Sequence, residues 1–191
     1  MFMGPLEVSK PWNTNGIIGI YRFLEKAWAI SEKPIVNEQV TGDLRKLLHK
    51  TIKKVTNDTA QLAFNTAISQ MMVFLNEVIK LDTIPRALWE SFVKLLSVYA
   101  PHLGEELWEK LGKGDSSKPS GTIAYQPWPE YKEEYCKDTE KTIVIQVNGK
   151  VRGKFQAEVN TEKKLLEKAA LQNESIQKFI EGKNITNVII V

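Results

Sequence analysis

LHKTIKKVTNDTAQLAFNTAISQMMVFLN, residues 48–76, is the stretch whose periodicity decides the fold. Leu48, Ile52 and Val55 continue a row of apolar residues that starts at Leu44 and Leu47, spaced by three and four. Phe64, Ala67, Ile68, Met71, Met72 and Leu75 repeat the pattern on to Ile79. That spacing places each set on one side of an α-helix. One helix is predicted from about Thr41, a candidate N-cap, and another over roughly Leu62 to Leu81. Amphipathic helices joined by short connections pack antiparallel, which is the beginning of a bundle.

Outward from this pair the helical reading continues. Gly16 to Ile30 carries Ile17, Ile20, Tyr21, Leu24 and Trp28 on one helix face, and Pro34 stops the pattern. A fourth helix begins near Pro85, a residue tolerated in a first turn, and runs to Tyr99. Pro101 breaks or kinks it, and a short helix follows over Glu105 to Leu111. Trp28, Trp89 and Trp108 sit at helical apolar positions and are expected in the core. Residues 112–121, GKGDSSKPSG, read as a loop. The next stretch, YQPWPEYKEEY at 125–135, holds two prolines that block regular structure, and its aromatics are expected to strap it onto the bundle. Trp12 and Trp128, in irregular segments, are expected as packing anchors.

From Lys141 the period falls from about 3.6 to 2. TIVIQV at 142–147 and VRGKFQAEV at 151–159 read as strands around Asn148-Gly149, a strong hairpin signal. Helices from Thr161 to about Leu171 and from Asn173 to Ile180 follow, then a strand over Ile185 to Val191. The expected fold is mainly α: an antiparallel helical bundle over 1–135, followed by a small α+β module over 136–191. For the hairpin, a two-residue turn would set Ile145 opposite Arg152 and mix charge into an apolar face. A three-residue loop, Val147 to Gly149, pairs Gln146 with Lys150 and Val144 with Arg152. Ile143, Ile145, Val151, Gly153 and Phe155 then share one face, and Lys150, Arg152 and Lys154 the other.

Composition narrows the function. The chain has 191 residues, with 26 Lys and Arg against 23 Asp and Glu, a net charge of +3 that is too mild to prove nucleic-acid binding. One cysteine, Cys136, excludes an intramolecular disulfide framework and fits a reducing, cytoplasmic compartment. His49, His102 and Cys136 are too far apart to make a metal motif, and no catalytic motif is recognisable. No apolar run approaches the ~20 residues of a membrane span. The opening, MFMGPLEVSKPWNTNGIIGIYRFLEKAW at 1–28, lacks the pattern of a signal peptide and reads as the middle of a protein.

Two groups of cations are candidates for phosphate contact. Lys150, Arg152 and Lys154 alternate along a strand, and each phosphate such a row neutralises releases counterions. Arg45, Lys46, Lys50, Lys53 and Lys54 fall in a helical stretch, 44–54, that contains no acid. Lys46, Lys50 and Lys53 lie to one side of that helix, with Arg45 and His49 at its flanks. Arg22 and Lys26 on the first helix are weaker candidates. Ordinary solvated faces, or edge-protecting lysines, would carry the same residues.

The chain resembles leucyl-tRNA synthetases of the bacterial type along essentially its whole length. The stretch 1–28 is similar to the family's entry into its helical bundle, and 48–76 to its second and third bundle helices. YAPHLGEELWEKLG at 99–112 with PWPEY at 127–131 resembles the bundle's end, and QVNGKVRGKF at 146–155 the hairpin of its C-terminal module. FNTAI and the PH-x-x-EELW pattern are shared with valyl and isoleucyl enzymes, whereas KKVT and VNGKVRGK, in this order, mark the leucyl type. The resemblance implies a class I aminoacyl-tRNA synthetase using ATP with magnesium and leucine. The HIGH and KMSKS motifs and the editing region are absent from these residues, so no cofactor is expected here. The expected role is to hold a leucine-accepting tRNA, as a monomer, with catalytic and editing domains of the same polypeptide as partners. Family members usually continue with a Pro-Gly turn and a further basic strand, so the module is expected to lack its last strand.

Overall fold

The computed structural model describes residues 1–9, 11, 13–114, 121–137, 140–158, 161–181 and 187–189. They form two compact units, Met1–Cys136 and Lys137–Val191. In the first, α1 (Thr14–Ser31), α2 (Gly42–Ala60), α3 (Phe64–Val78), α4 (Arg86–Ser97) and α5 (Pro101–Lys110) pack around one core. A 3-10 turn at Ile123–Tyr125 and the single-turn helix α6 (Glu133–Cys136) complete it.

Met71, Phe74, Leu75, Leu88, Phe92 and Leu96 are fully buried at the centre, where α3 meets α4. The Phe74 and Phe92 rings stack with centroids 5.0 Å apart, and Trp89 stacks on Phe92 at 5.2 Å. Trp89 and Trp108 are core residues as expected. The row on α2 holds two polar residues that periodicity does not reveal. Thr51 accepts a hydrogen bond from Gln70 Nε2 at 3.0 Å, and Asp58 pairs with Lys54 at 2.9 Å. Thr51 and Asp58 thereby each have the partner that burial demands.

Three local expectations change. On α1 the buried residues are Phe23, Ala27 and Ile30, while Ile17, Tyr21 and Trp28 stay exposed. Two stripes with the same spacing overlap at Ile20 and Leu24, which are half-buried, and the smaller Ala27 lies at the core in place of Trp28. The fifth helix starts at Pro101 rather than Glu105, because proline suits a first helical position, where no N–H partner is needed. The α1–α2 and α3–α4 connections also touch: β1 (Ile35–Val36) runs parallel to β2 (Ile84–Pro85), with the Ile84 N–H donating to Pro34 O at 2.9 Å. Such two-residue bridges are too short for an alternation signal.

The second unit holds a hairpin, β3 (Glu140–Val147) and β4 (Lys150–Glu158), and the helices α7 (Lys163–Leu171) and α8 (Glu174–Ile180). Asn173 caps α8, its side chain accepting from the Ser175 N–H at 3.0 Å. Ile145, Leu166 and Ile176 are the buried apolar residues described here. A Cβ at Gly153 would lie 3.2 Å from Ser175 Cβ and 3.4 Å from Ile176 Cγ2, so the glycine lets α8 approach the sheet. Of the strand expected over 185–191, residues 187–189 carry no regular structure and the others lie outside the described residues, as does Trp12.

The hairpin register corrects the sequence-based expectation. Asn148 (φ 52°) and Gly149 (φ 74°) both adopt positive φ, the signature of a two-residue type I′ turn, and Val147 pairs with Lys150. The irregularity falls inside the ladder, where Gln146 pairs with Val151, Ile145 with Gly153, and Arg152 is the extra residue. The bulge restores Ile143, Ile145, Gly153 and Phe155 to one face, but it leaves Val151 63 % exposed instead of inward. A tight turn and a bulge together satisfy both the turn chemistry and the apolar face, which the three-residue loop did with one feature.

Candidate nucleic-acid interface

The cations of α2 are less open than their sequence implies. Within 44–54 there is no acid, yet partners come from outside that window. Lys46 lies 3.7 Å from Asp43, Lys54 pairs with Asp58, and Lys53 Nζ meets Glu133 Oε1 at 2.5 Å across 80 residues. That hydrogen bond is the first cause of a raised Lys53 pKa. Lys46, Lys50 and Lys53 are each half-buried.

Glu133 belongs to the strap. Pro127 and Pro129 keep its start out of regular structure. Trp128 Nε1 donates to Thr56 Oγ1 at 2.8 Å, and the Lys132 N–H donates to His49 Nδ1 at 3.1 Å. The Tyr135 ring lies 5.0 Å from the His49 ring and 4.2 Å from the Arg45 guanidinium, and Tyr131 packs against the core. Arg45, His49, Lys53 and Thr56 follow one another at spacings of four, four and three, so the strap runs along one face of α2. Sequence reasoning anticipated an aromatic strap but not that it lies over the basic helix. His49, set aside for metal and catalytic roles, turns out to be one of its anchors. Burial, then the charges of Lys132 and Arg45, lower the His49 pKa. Burial and Glu133 push the Cys136 thiol up.

The hairpin cations do not share one face. Lys150 opposes Val147 and so takes the register position of the Ile145 face, where it is exposed; Lys154 opposes Val144 on the other face. Arg152, at the bulge, is exposed, with its guanidinium 4.3 Å from the centre of the Phe179 ring on α8. All three are exposed, spread over the turn-proximal half of β4. The uniform alternation expected of Lys150, Arg152 and Lys154 is broken by the bulge, which inserts a residue and exchanges faces.

Other cations serve the fold. Lys33 Nζ donates to the carbonyls of Ile79 and Leu81 at 2.5 and 2.6 Å, where α3 ends. Arg86 donates to Leu111 O at 2.8 Å and Asn37 Oδ1 at 3.0 Å. Lys26 donates to Asn76 Oδ1. Arg22 is exposed. The whole net charge of +3 lies in residues 137–191, with ten Lys and Arg against seven Asp and Glu, whereas residues 1–136 carry sixteen of each. Among the described residues no helix is long and apolar enough to cross a membrane, and no three His, Cys, Asp or Glu side chains gather as a metal site.

Comparison with known proteins places this arrangement. The chain is 42% identical, over an alignment of 214 residues, to the leucine–tRNA ligase of Treponema pallidum subsp. pallidum, covering all of this chain and 24% of that protein. Its fold matches, with a TM-score of 0.65 and 20% identity, the LeuRS of Agrobacterium radiobacter K84 in a crystal structure of its ternary complex with tRNA and LeuAMS, covering all of this chain and 26% of that one. The chain thus spans about a quarter of the length of the relatives it matches. Residues 43–168, from α2 through most of α7, match the family described as the anticodon-binding domain of tRNA ligase. The chain belongs to that family.

Proposed function

We propose that this chain is the tRNA-holding region of a leucyl-tRNA synthetase. The single observation that carries the reading is the 42% identity to a leucine–tRNA ligase over the whole chain. The location of the positive charge agrees with it. Lysine-rich surfaces suit contact to phosphates and to the shape of folded RNA more than to base edges, which duplex RNA hides. Lys150, Arg152 and Lys154 are the first candidates, then Lys46, Lys50 and Lys53.

In this reading the chain performs no chemistry and holds no cofactor. ATP, magnesium and leucine belong to the catalytic domain of the same polypeptide, which also carries an editing domain and works as a monomer in the cytoplasm. Its contribution is binding energy far from the reacting atoms, which places the acceptor end of the tRNA.

The test is binding of the chain to a leucine tRNA transcript and to an unrelated tRNA across a salt series. Preferential, salt-dependent binding of the leucine tRNA is expected. Neutralising Lys150, Arg152 and Lys154 together should flatten the log–log salt slope by roughly one unit per lost phosphate contact. Salt-independent binding, or none at low salt, overturns the reading.

A further inference from the structure

The segment PWPEYKEEYC, residues 127–136, places three carboxylates and two tyrosines within six residues, 130–135. We propose that it is an intramolecular stand-in for RNA on α2, which tRNA displaces on binding. This rests on the tRNA-holding reading above and adds a concealed docking surface, Arg45–His49–Lys53, together with what uncovers it.

The chemistry of the contact is that of a nucleic acid. Glu133 gives Lys53 an anionic oxygen at 2.5 Å, where a phosphate oxygen would serve equally. Tyr135 offers its face to the Arg45 guanidinium at 4.2 Å and its ring to His49 at 5.0 Å, as an unstacked base would. The covered row from Arg45 to Thr56 is about 16 Å long at the rise of an α-helix, enough for more than one nucleotide.

The cover is also weakly held. The Lys53 and Glu133 side chains are 36% and 60% exposed, so water and salt screen their attraction. α6 is a single turn of four residues. Arg45 Nε is buried with no acceptor among the described residues, a cost that an incoming phosphate oxygen would relieve. Trp128, bonded to Thr56 at the other end of the row, gives a fixed point from which the remainder can peel away.

The experiment uses the 191-residue chain, a leucine tRNA transcript and amide hydrogen exchange. In the complex, the amides of Tyr131 to Cys136 are expected to exchange faster than in the unbound chain. Glu133→Gln, an isosteric change at an exposed site, is expected to tighten tRNA binding by about two- to fivefold. Lys53→Gln should abolish that gain. Unchanged or slower exchange at 131–136 in the complex overturns the proposal, as does unchanged or weaker binding by Glu133→Gln. Loss of all tRNA binding by the native chain would overturn the tRNA-holding reading itself, an outcome distinct from binding without displacement.

Discussion

His49 Nδ1 accepts the backbone N–H of Lys132 at 3.1 Å, so the strap is tied to α2 through a histidine that must be neutral. Burial and the Lys132 and Arg45 charges disfavour its proton, while Glu134 works the other way with a smaller effect.

The His49–Lys132 contact therefore depends on pH. With the folded pKa below the ordinary 6.5, the unfolded chain binds the proton first as pH falls. The stabilisation is complete above about pH 6.5 and is lost as pH drops through the lower folded value. Thermal midpoints measured from pH 7.5 to 5 should fall, and His49→Phe should flatten the profile. A profile identical in the two proteins would remove His49 from the account.

Gly104 allows α4 and α5 to meet. A Cβ there would lie 2.6 Å from Ser97 Cβ and 2.7 Å from Ser97 Cα, distances that real atoms do not adopt. Gly104→Ala should cost roughly 1–3 kcal/mol, as overpacking does, and lower the melting temperature by several degrees. Ser97→Ala keeps the offending Cβ and should give no rescue. A Gly104→Ala melt matching the native curve would show that the helices separate without penalty.

Gly149 holds φ 74° in the hairpin turn. Gly149→Ala forces a side chain into the left-handed region and should destabilise the hairpin by about 1 kcal/mol. Nothing lies within 4 Å of the added Cβ, so the effect is conformational and not steric. Chemical shifts of Ile145 and Gly153 report hairpin population; Gly149→Asn, which tolerates positive φ better, should fall between alanine and glycine.

The second unit has a thin core. Ile145, Leu166 and Ile176 are its buried apolar residues among those described, against twenty-three in the first unit. Hydrogen exchange in β3, β4, α7 and α8 should be faster than in α3 and α4. Ile176→Ala should remove about 2–5 kcal/mol, enough to unfold a small unit while α3 and α4 keep their protection. Loss of protection in both units together would mean that they unfold as one.

Much of the fold was legible because its signals are local. The rows on α2, α3 and α4, the strand alternation and Asn148-Gly149 lie within a few residues of what they specify. Legibility was lower at the candidate site. Lys53 looked unpaired because Glu133 is 80 residues away, and Lys150, Arg152 and Lys154 looked coplanar because a bulge has no compositional mark. His49 was legible only as a flank of the basic face; its role as an anchor was not, since it accepts a main-chain N–H from a distant segment.

The amino-acid sequence by itself determined which segments are helices, where the hairpin turns, and the family to which the chain belongs. Tertiary structure decided which stripe of α1 faces the core, where the hairpin's extra residue goes, and that the strap covers α2. The physical reason is that periodicity states that a face is apolar or charged, whereas burial depends on which surface arrives to meet it. Ile17, Tyr21 and Trp28 have the spacing of a core, but the packing buries Phe23, Ala27 and Ile30 instead.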